Sequence, residues 1–539
     1  MLTRVLIITG LLVAIVGLPF LLRPEEDTLA KADDTLVIVT PHNEAIRYEF
    51  TRAFSEFYRD RTGRSIRIDW RIVGGTSEIA RYLASEYYTV FEREWKRAGH
   101  RWTDAVAAGF SNHRLTLPED PTQDEEAQKA RRMFLASDFG IGVDMFFGGG
   151  AYDFVQQTDA GRLVASGIVA ARPDWFNESS IPQAVSGEPY YDPEGRWVGT
   201  CLSSFGIAYN TDSLKRLGVE SMPAAWIDLT NPMFFQQVAL ADPTKSGSAA
   251  KAFEMVIQQQ MQIAHNTALK EGKSEAEALE IAKSEGWVAG LRIIQAASAN
   301  ARYFTDAAGK VPMDVSLGDA AIGMCIDFFG RFQSEAVRVG NNESRLQYFT
   351  PHGGSSVGVD PIAMLRGGPN PKAAKLFIEF VLSEDAQKLW NFKVGTPGGP
   401  VRYALRRLPI RKELYAPEYK SFLSDPDVEP YEEAKFFTYH EEWTAPLFAP
   451  LRFIIRVMCL DTHDEQVAAW KALIDAGFPP EATAKFQDLN AVNHQAALES
   501  IRPVLRSPKR IDEVILAKQL GDHFRKQYRE SAELARQGK

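Results

Sequence analysis

At 539 residues the chain is too long for one hydrophobic core and implies roughly two to four domains. Hydrophobic residues make up 45% and charged residues 24%, which excludes a wholly disordered, collagen-like or multi-pass membrane chain. Lys and Arg number 61 against 70 Asp and Glu, and the resulting net charge of −9 excludes a nucleic-acid binder that relies on overall positive charge.

In chain order, Val5 to Leu22 carry no charge over 18 positions. At about 1.5 Å per residue they reach roughly 27 Å, enough for a bilayer core, so export is expected. Two fates are open for residues 1–32: cleavage after Ala30-Lys31-Ala32 as a signal peptide, or retention as an inner-membrane anchor. The distance of that site from the apolar run favours the anchor. Cys201, Cys325 and Cys459 are too few and too far apart for a disulfide framework or a four-cysteine zinc site, and none lies near the leader to take a lipid.

After this leader, Leu36 to Val39 predicts a strand, and Ile46, Phe50, Phe54 and Phe57 recur at helical spacing up to Gly63. Ile66, Ile68, Trp70 and Ile72 then alternate with charged residues as a strand, and Ile79, Leu83 and Val90 return to helical spacing. Strand, helix, strand and helix predict an α/β sheet with ligand sites at the carboxyl ends of its strands. Residues 97–136, with LPEDPTQDEE among them, read as a surface insertion. The sheet resumes at GIGVDMFFGGG, Gly140 to Gly150. Further strands are expected at Phe205 to Tyr209, Val238 to Ala241, Ala321 to Phe328, Gln347 to Thr350 and Val357 to Met364. Helices are expected over 249–300 and, as one amphipathic helix, over Pro371 to Trp390; beyond Pro400 the chain reads as helices and irregular segments.

Four strand-to-helix junctions are rich in small and hydroxyl residues: Thr40 to Asn43, Gly74 to Ser77, Gly148 to Gly150 and Ser246 to Ser248. Free N–H groups at a helix start cradle an anion, and glycine lets a ligand approach the backbone. Any one of them alone is an ordinary cap; four in one α/β chain point to a site.

The stretches LVIVTPHNEA, VDMFFGGGAYDFVQQTDAGRL, GIAYNTDSLKRLG, AAWIDLTNP, VALADPTKSGS, LGDAAIGMCIDFFGR and GPNPKAAKLFIEFVLSEDAQKLW occur in this order. As a set, Thr35 to Arg402 resembles the periplasmic solute-binding proteins of ABC importers, in their ferric-iron-binding-like branch. The resemblance implies an α/β, two-lobed periplasmic-binding-protein fold of type II that closes over a solute in the periplasm, with ABC permease and ATPase subunits as partners. Lobe 1 is then expected over 33–200, lobe 2 over 201–344, a return segment to lobe 1 over 345–400, and a mainly helical C-terminal extension over 401–539.

The branch's iron site implies a histidine and a glutamate early in the chain, with His42 standing where the histidine would lie, and two adjacent tyrosines, where this chain has Phe328-Phe329. A phenyl ring offers no oxygen to a hard cation, so iron binding by that mechanism fails and no metal site is expected. What remains suits a small organic anion such as a sugar phosphate, phosphonate or carboxylate. Candidate ligand residues are Thr40, His42, Asn43, Gly75, Thr76, Ser77, Gly149, Gly150, Ser203, Ser246, Gly247, Ser248, Asp327, Phe328 and Arg331, with Arg331 as a charged partner. Arg331 reads equally as a helix-surface charge, His42 as a cap and Asp327 as a hinge hydrogen-bonder.

No catalytic residues and no cofactor are expected. Gly354-Ser355-Ser356-Val357-Gly358 matches GxSxG, but an extended run rather than a helix follows it. The alternatives are a ferric or metal-complex receptor of the same fold, and a membrane-tethered sensor, which the added length after Pro400 favours.

Overall fold

The computed structural model describes residues 32–340, 343–507 and 509–539. Val5 to Leu22, and with them the choice between signal peptide and anchor, lie outside the described residues.

Strand β1 (Asp34–Val39) leads through Thr40 into helix α1 (Glu44–Thr62), which begins where the Asn43 side chain accepts from the Ile46 N–H and ends at Gly63 with φ 70°. Strand β2 (Ile66–Arg71) and helix α2 (Thr76–Arg97) repeat the unit, followed by β3 (Met145–Phe147) and α3 (Ala151–Asp159). Strand β4 (Val198–Ser203) is buried along its whole length and passes through Ser204 into β5 (Phe205–Asn210). Next come β6 (Val238–Ala241), α4 (Gly247–Lys270), α5 (Trp287–Ala299), β7 (Ala301–Thr305), β8 (Ile322–Ile326) and α6 (Asp327–Ala336). The last strands of the two lobes are β9 (Leu346–Phe349) and β10 (Gly358–Leu365), before helices α7 (Pro371–Leu382) and α8 (Glu384–Asn391). A two-residue strand, β11 (Leu408–Pro409), pairs with β4.

Two sheets share one plan. The first runs β11-β4-β10-β3-β1-β2 and the second β7-β6-β8-β5-β9. In each, three parallel strands stand in the order second, first, third, and the strand reached directly after the chain crosses from the other lobe inserts antiparallel beside the third. The chain crosses between lobes at Ser204 and again over Thr350 to Val357. These crossings touch where Ser204 and Thr350 hydroxyls lie 3.0 Å apart and the Phe205 N–H donates to Ser355 Oγ at 2.9 Å. This is the two-lobed α/β arrangement with strands exchanged at the hinge.

Several boundaries differ from expectation. Leu346–Phe349 pairs with β5 and still belongs to lobe 2, so the return begins at Thr350 rather than 345; likewise β4 keeps Cys201 to Ser203 in lobe 1. Residues 97–136 are not a surface insertion throughout. Arg97 closes α2, and the short helices Asp104–Gly109 and Glu126–Ala136 bury Val106, Phe110, Ala130 and Phe134, with the Phe110 ring stacked on Phe91 at 4.7 Å. In the second of those helices the spacing of Ala130 and Phe134 was hidden by Arg131 and Arg132 between them. The 371–390 helix is two helices, because Ser383 turns to ψ 153° and caps α8. Asp327 and Phe328 open a helix rather than end a strand.

Residues 401–539 do not hang off the end of the two lobes. Tyr431 and Ala434 pack into the lobe 1 core, whereas Phe437 and most later apolar residues join one continuous core with lobe 2. The Trp287 indole donates to Val492 O at 3.0 Å and the Trp470 indole to Asn300 Oδ1 at 2.8 Å, so buried polar atoms of lobe 2 are satisfied by the extension. The apolar run 441–460, long and apolar enough to cross a membrane, is mostly buried in this core.

Candidate functional site

Three helix starts meet in the space between the lobes, following β2 and β3 of the first sheet and β6 of the second. From lobe 1, α2 begins at Gly75 and α3 at Gly150; from lobe 2, α4 begins at Ser246, whose hydroxyl accepts from the Ala249 N–H. A Cβ placed on Gly247 would lie 3.6 Å from Asp153 Oδ2 and 3.9 Å from Thr76 Cβ, and one on Gly75 would lie 3.5 Å from the Lys245 carbonyl oxygen. A single added methyl group would therefore bridge the lobes at these helix starts. Glycine is needed on the lobe 1 side as well: Gly149 holds φ 124°, and a Cβ there would approach Thr76 Cγ2 to 2.5 Å.

The predicted residues fall into two groups. Gly75, Thr76, Ser77, Gly149, Gly150, Ser246, Gly247 and Ser248 gather at these helix starts. Their groups are partly used within the protein: Glu78 Oε2 accepts from the Gly75 N–H at 2.7 Å, and the Ser246 and Ser248 hydroxyls lie 3.1 Å apart.

Deeper between the lobes, Thr40 Oγ1 donates to Phe147 O at 2.7 Å and accepts from the His42 N–H at 3.1 Å. The His42 ring lies edge-on to Phe147, with Nε2 3.9 Å from Asp360 Oδ2. Burial pushes the imidazole down to about 4, so it is neutral at pH 7. Asp327 and Arg331 pair with each other at 3.0 Å across one turn of α6, both buried, so Arg331 is neither a surface charge nor a cation left free for a solute. Burial pushes Asp327 up to about 6 against the pull of Arg331. Asn43 is spent as the α1 cap, and Ser203 sits opposite Gly358 in the sheet; these two stand apart from both groups.

Four residues that the sequence reading passed over shape this space. Arg407 forms a buried ion pair with Asp360 and lays its guanidinium over the Phe328 ring at 3.5 Å, tying lobe 1 to lobe 2. Burial works against the Asp360 charge, yet Arg407 and His42 hold its carboxyl below the usual range. Arg452, on the helix Phe448–Ile455, donates to Pro243 O at 2.7 Å, to Thr244 O at 2.9 Å and to Ser77 Oγ at 3.2 Å. Asp153 faces the α4 start from the first turn of α3. The one available signal was a lone arginine in the apolar run FAPLRFII; nothing local marks the others.

Burial pushes the Asp153 carboxyl up to about 6, opposed by Arg452 and Arg81. A raised carboxyl pKa means the folded state holds more protons than the unfolded one between about pH 4 and 6, so this group's contribution to stability falls as pH rises through that window. Asp153→Asn is therefore expected to stabilise the protein by about 1–3 kcal/mol at pH 7 and by nothing near pH 4. Urea unfolding at the two pH values checks this, and an equal effect at both would be inconsistent with it.

Among the described residues no cluster of three or more His, Cys, Asp or Glu side chains is placed to hold a metal ion.

A model of the bacterial extracellular solute-binding protein family matches residues 142–423. A Haemophilus influenzae protein described as uncharacterized is 25% identical over 251 residues, 46% of this chain and 60% of that protein. The chain thus spans less than two thirds of that relative's length. Among solved structures, the periplasmic binding protein AfuA from Actinobacillus pleuropneumoniae, with exogenous fructose-6-phosphate bound, is 17% identical with a TM-score of 0.47, covering 75% of this chain and 95% of that one. Iron-bound HitA from Pseudomonas aeruginosa is 16% identical with a TM-score of 0.45, covering 78% and 98%. With a family match over more than half its length, set on two sheets that exchange strands at a hinge, the chain belongs to the bacterial extracellular solute-binding proteins.

Proposed function

We propose that the protein is the solute receptor of an ABC importer and holds a small organic anion, such as a sugar phosphate, phosphonate or carboxylate, between its lobes. The observation that carries this reading is the meeting of the α2, α3 and α4 starts across the cleft, where a methyl group placed on Gly247 would touch both Thr76 and Asp153. Helix starts favour negative charge by about 0.3–1 kcal/mol each. That is far short of the roughly 8 kcal/mol needed for micromolar binding, so lobe closure and the exclusion of water supply the remainder.

A thermal-shift panel of phosphorylated sugars, phosphonates, dicarboxylates and ferric complexes tests the reading, because a solute at about 100 times its Kd adds about 2.7 kcal/mol to the folded state. At least one anion is expected to raise the melting temperature. Its affinity should fall about tenfold or more when Thr76 is replaced by alanine, a change that leaves the Ser77 bond to Arg452 in place, at about 1.4 kcal/mol per tenfold. A panel in which only ferric complexes shift the melting would reject the anion.

A second reading, a membrane-tethered sensor, draws on the bonding of residues 401–539 to both lobes, which makes any lobe movement a movement of the extension. It predicts that the stabilising anion also changes the protease protection of 401–539.

A further inference from the structure

Two-lobed receptors open by rotation about the segments that join the lobes. Here the chain joins them a third time. Ala434 lies in the lobe 1 core and Phe437 in the lobe 2 core, so residues 434–437 cross from one to the other. This crossing runs beside the second, with the Phe436 ring 4.4 Å from that of His352.

The third crossing is fastened on both sides. The Tyr439 N–H donates to Ser186 O of lobe 1 at 2.7 Å, and Gln258 on α4 donates to His440 O at 2.7 Å. Between them Lys251 of lobe 2 reaches Glu188 of lobe 1 and Glu254 of its own helix, each at 3.0 Å, and stands 3.6 Å from the Tyr439 ring centroid.

Away from the hinge, the extension also spans the two lobes at the helix starts. The Arg452 guanidinium donates to the Pro243 and Thr244 carbonyls of lobe 2 and, from the same Nη2 that reaches Thr244, to Ser77 Oγ of lobe 1. Arg452 comes from a helix whose neighbours Leu451, Phe453, Ile454 and Ile455 are buried in the lobe 2 core, so its backbone moves with lobe 2. Its bond to Ser77 therefore has to break whenever the lobes part.

We propose that residues 401–539 are a clamp built into the chain, which holds the lobes shut when no solute is present, and that Arg452 is its bolt across the cleft. Entry of a solute, on the reading above, requires this bolt to release. The solute-free receptor is then closed at rest and opens on demand.

The clamp is tested without any solute. Cys201, Cys325 and Cys459 are buried, so nitroxide labels go selectively to the exposed pair Ser85→Cys in lobe 1 and Asp306→Cys in lobe 2. Electron–electron distance measurement on the full chain is expected to give a single narrow distance. Adding Arg452→Met is expected to create a second, longer distance in about a tenth or more of the molecules, the upper end of an ordinary minor state. A longer population already present with Arg452 intact overturns the proposal. So does a single unchanged distance in a folded Arg452→Met chain. If Arg452→Met does not fold, Arg452→Gln, which keeps a donor but shortens its reach, is read by the same two outcomes. Because no solute is added, failure of the clamp leaves the anion reading untouched, and failure of the solute panel leaves the clamp standing.

Discussion

Asp360→Asn is expected to destabilise the protein by about 3–5 kcal/mol, because it breaks a buried ion pair from one side. Arg407 would remain between the Phe328 ring at 3.5 Å, the Cys201 sulfur at 3.4 Å and the more distant Trp390 ring, with no carboxylate to pair with. A guanidinium cannot shed its proton to escape such a place. The His42 imidazole, already neutral from burial, offers no compensating charge. Urea unfolding followed by tryptophan fluorescence measures the loss. Replacing both partners with apolar residues, Asp360→Leu with Arg407→Met, is expected to cost less than Asp360→Asn alone, since no isolated charge is left buried. A loss below about 1 kcal/mol for Asp360→Asn would be the size expected of an exposed pair and would contradict the burial of this one.

Glu49→Ala is the second large effect expected. This buried carboxylate, on the lobe 1 face of α1, accepts from three successive backbone N–H groups at the start of the extension: Val401 at 3.0 Å, Arg402 at 2.7 Å and Tyr403 at 2.8 Å. Hydrogen bonds to a charged group are worth about 1.5–3 kcal/mol each, and three sharing one acceptor fall short of additive, so a loss of about 3–5 kcal/mol is expected. Amide hydrogen exchange should show the damage locally, with residues 401–403 losing protection before β1 or β3 does. Glu49→Gln, which keeps one carbonyl oxygen but turns an N–H pair toward the donors, should fall between. Full protection of 401–403 in the alanine variant would show that something else anchors the extension.

Periodicity made much of the fold legible. The two-residue alternation of Ile66, Ile68 and Trp70 and the helical spacing of Ile46, Phe50 and Phe54 became β2 and α1 because each element buries one face against a single layer, whereas Ile72 falls past the end of β2 and is exposed. It failed where an element is buried on all sides or is short. Strand β4 lies in mid-sheet between β10 and β11 and is covered throughout, so its residues carry no alternation. In Glu126–Ala136 the buried Arg131 stands where an apolar residue would be looked for, its guanidinium donating to the carbonyls of Phe110, Asp159 and Ala160.

Local chemistry, written in capping hydroxyls, glycines and the spacing of apolar side chains, was enough to mark the helix starts at Gly75, Gly150 and Ser246 and to place them at strand ends. Such features depend on neighbours three or four positions away, and a linear reading holds them intact. The pairing of Arg407 with Asp360 spans 47 positions and that of Arg452 with Ser77 spans 375. Those partners meet only because two sheets and a helical cap fold around one cleft, and no spacing rule reaches that far. The strand ends and helix starts were therefore visible along the chain and the two lobes were implied by the family resemblance, whereas the charges that hold the lobes together came into view only once distant segments were packed side by side.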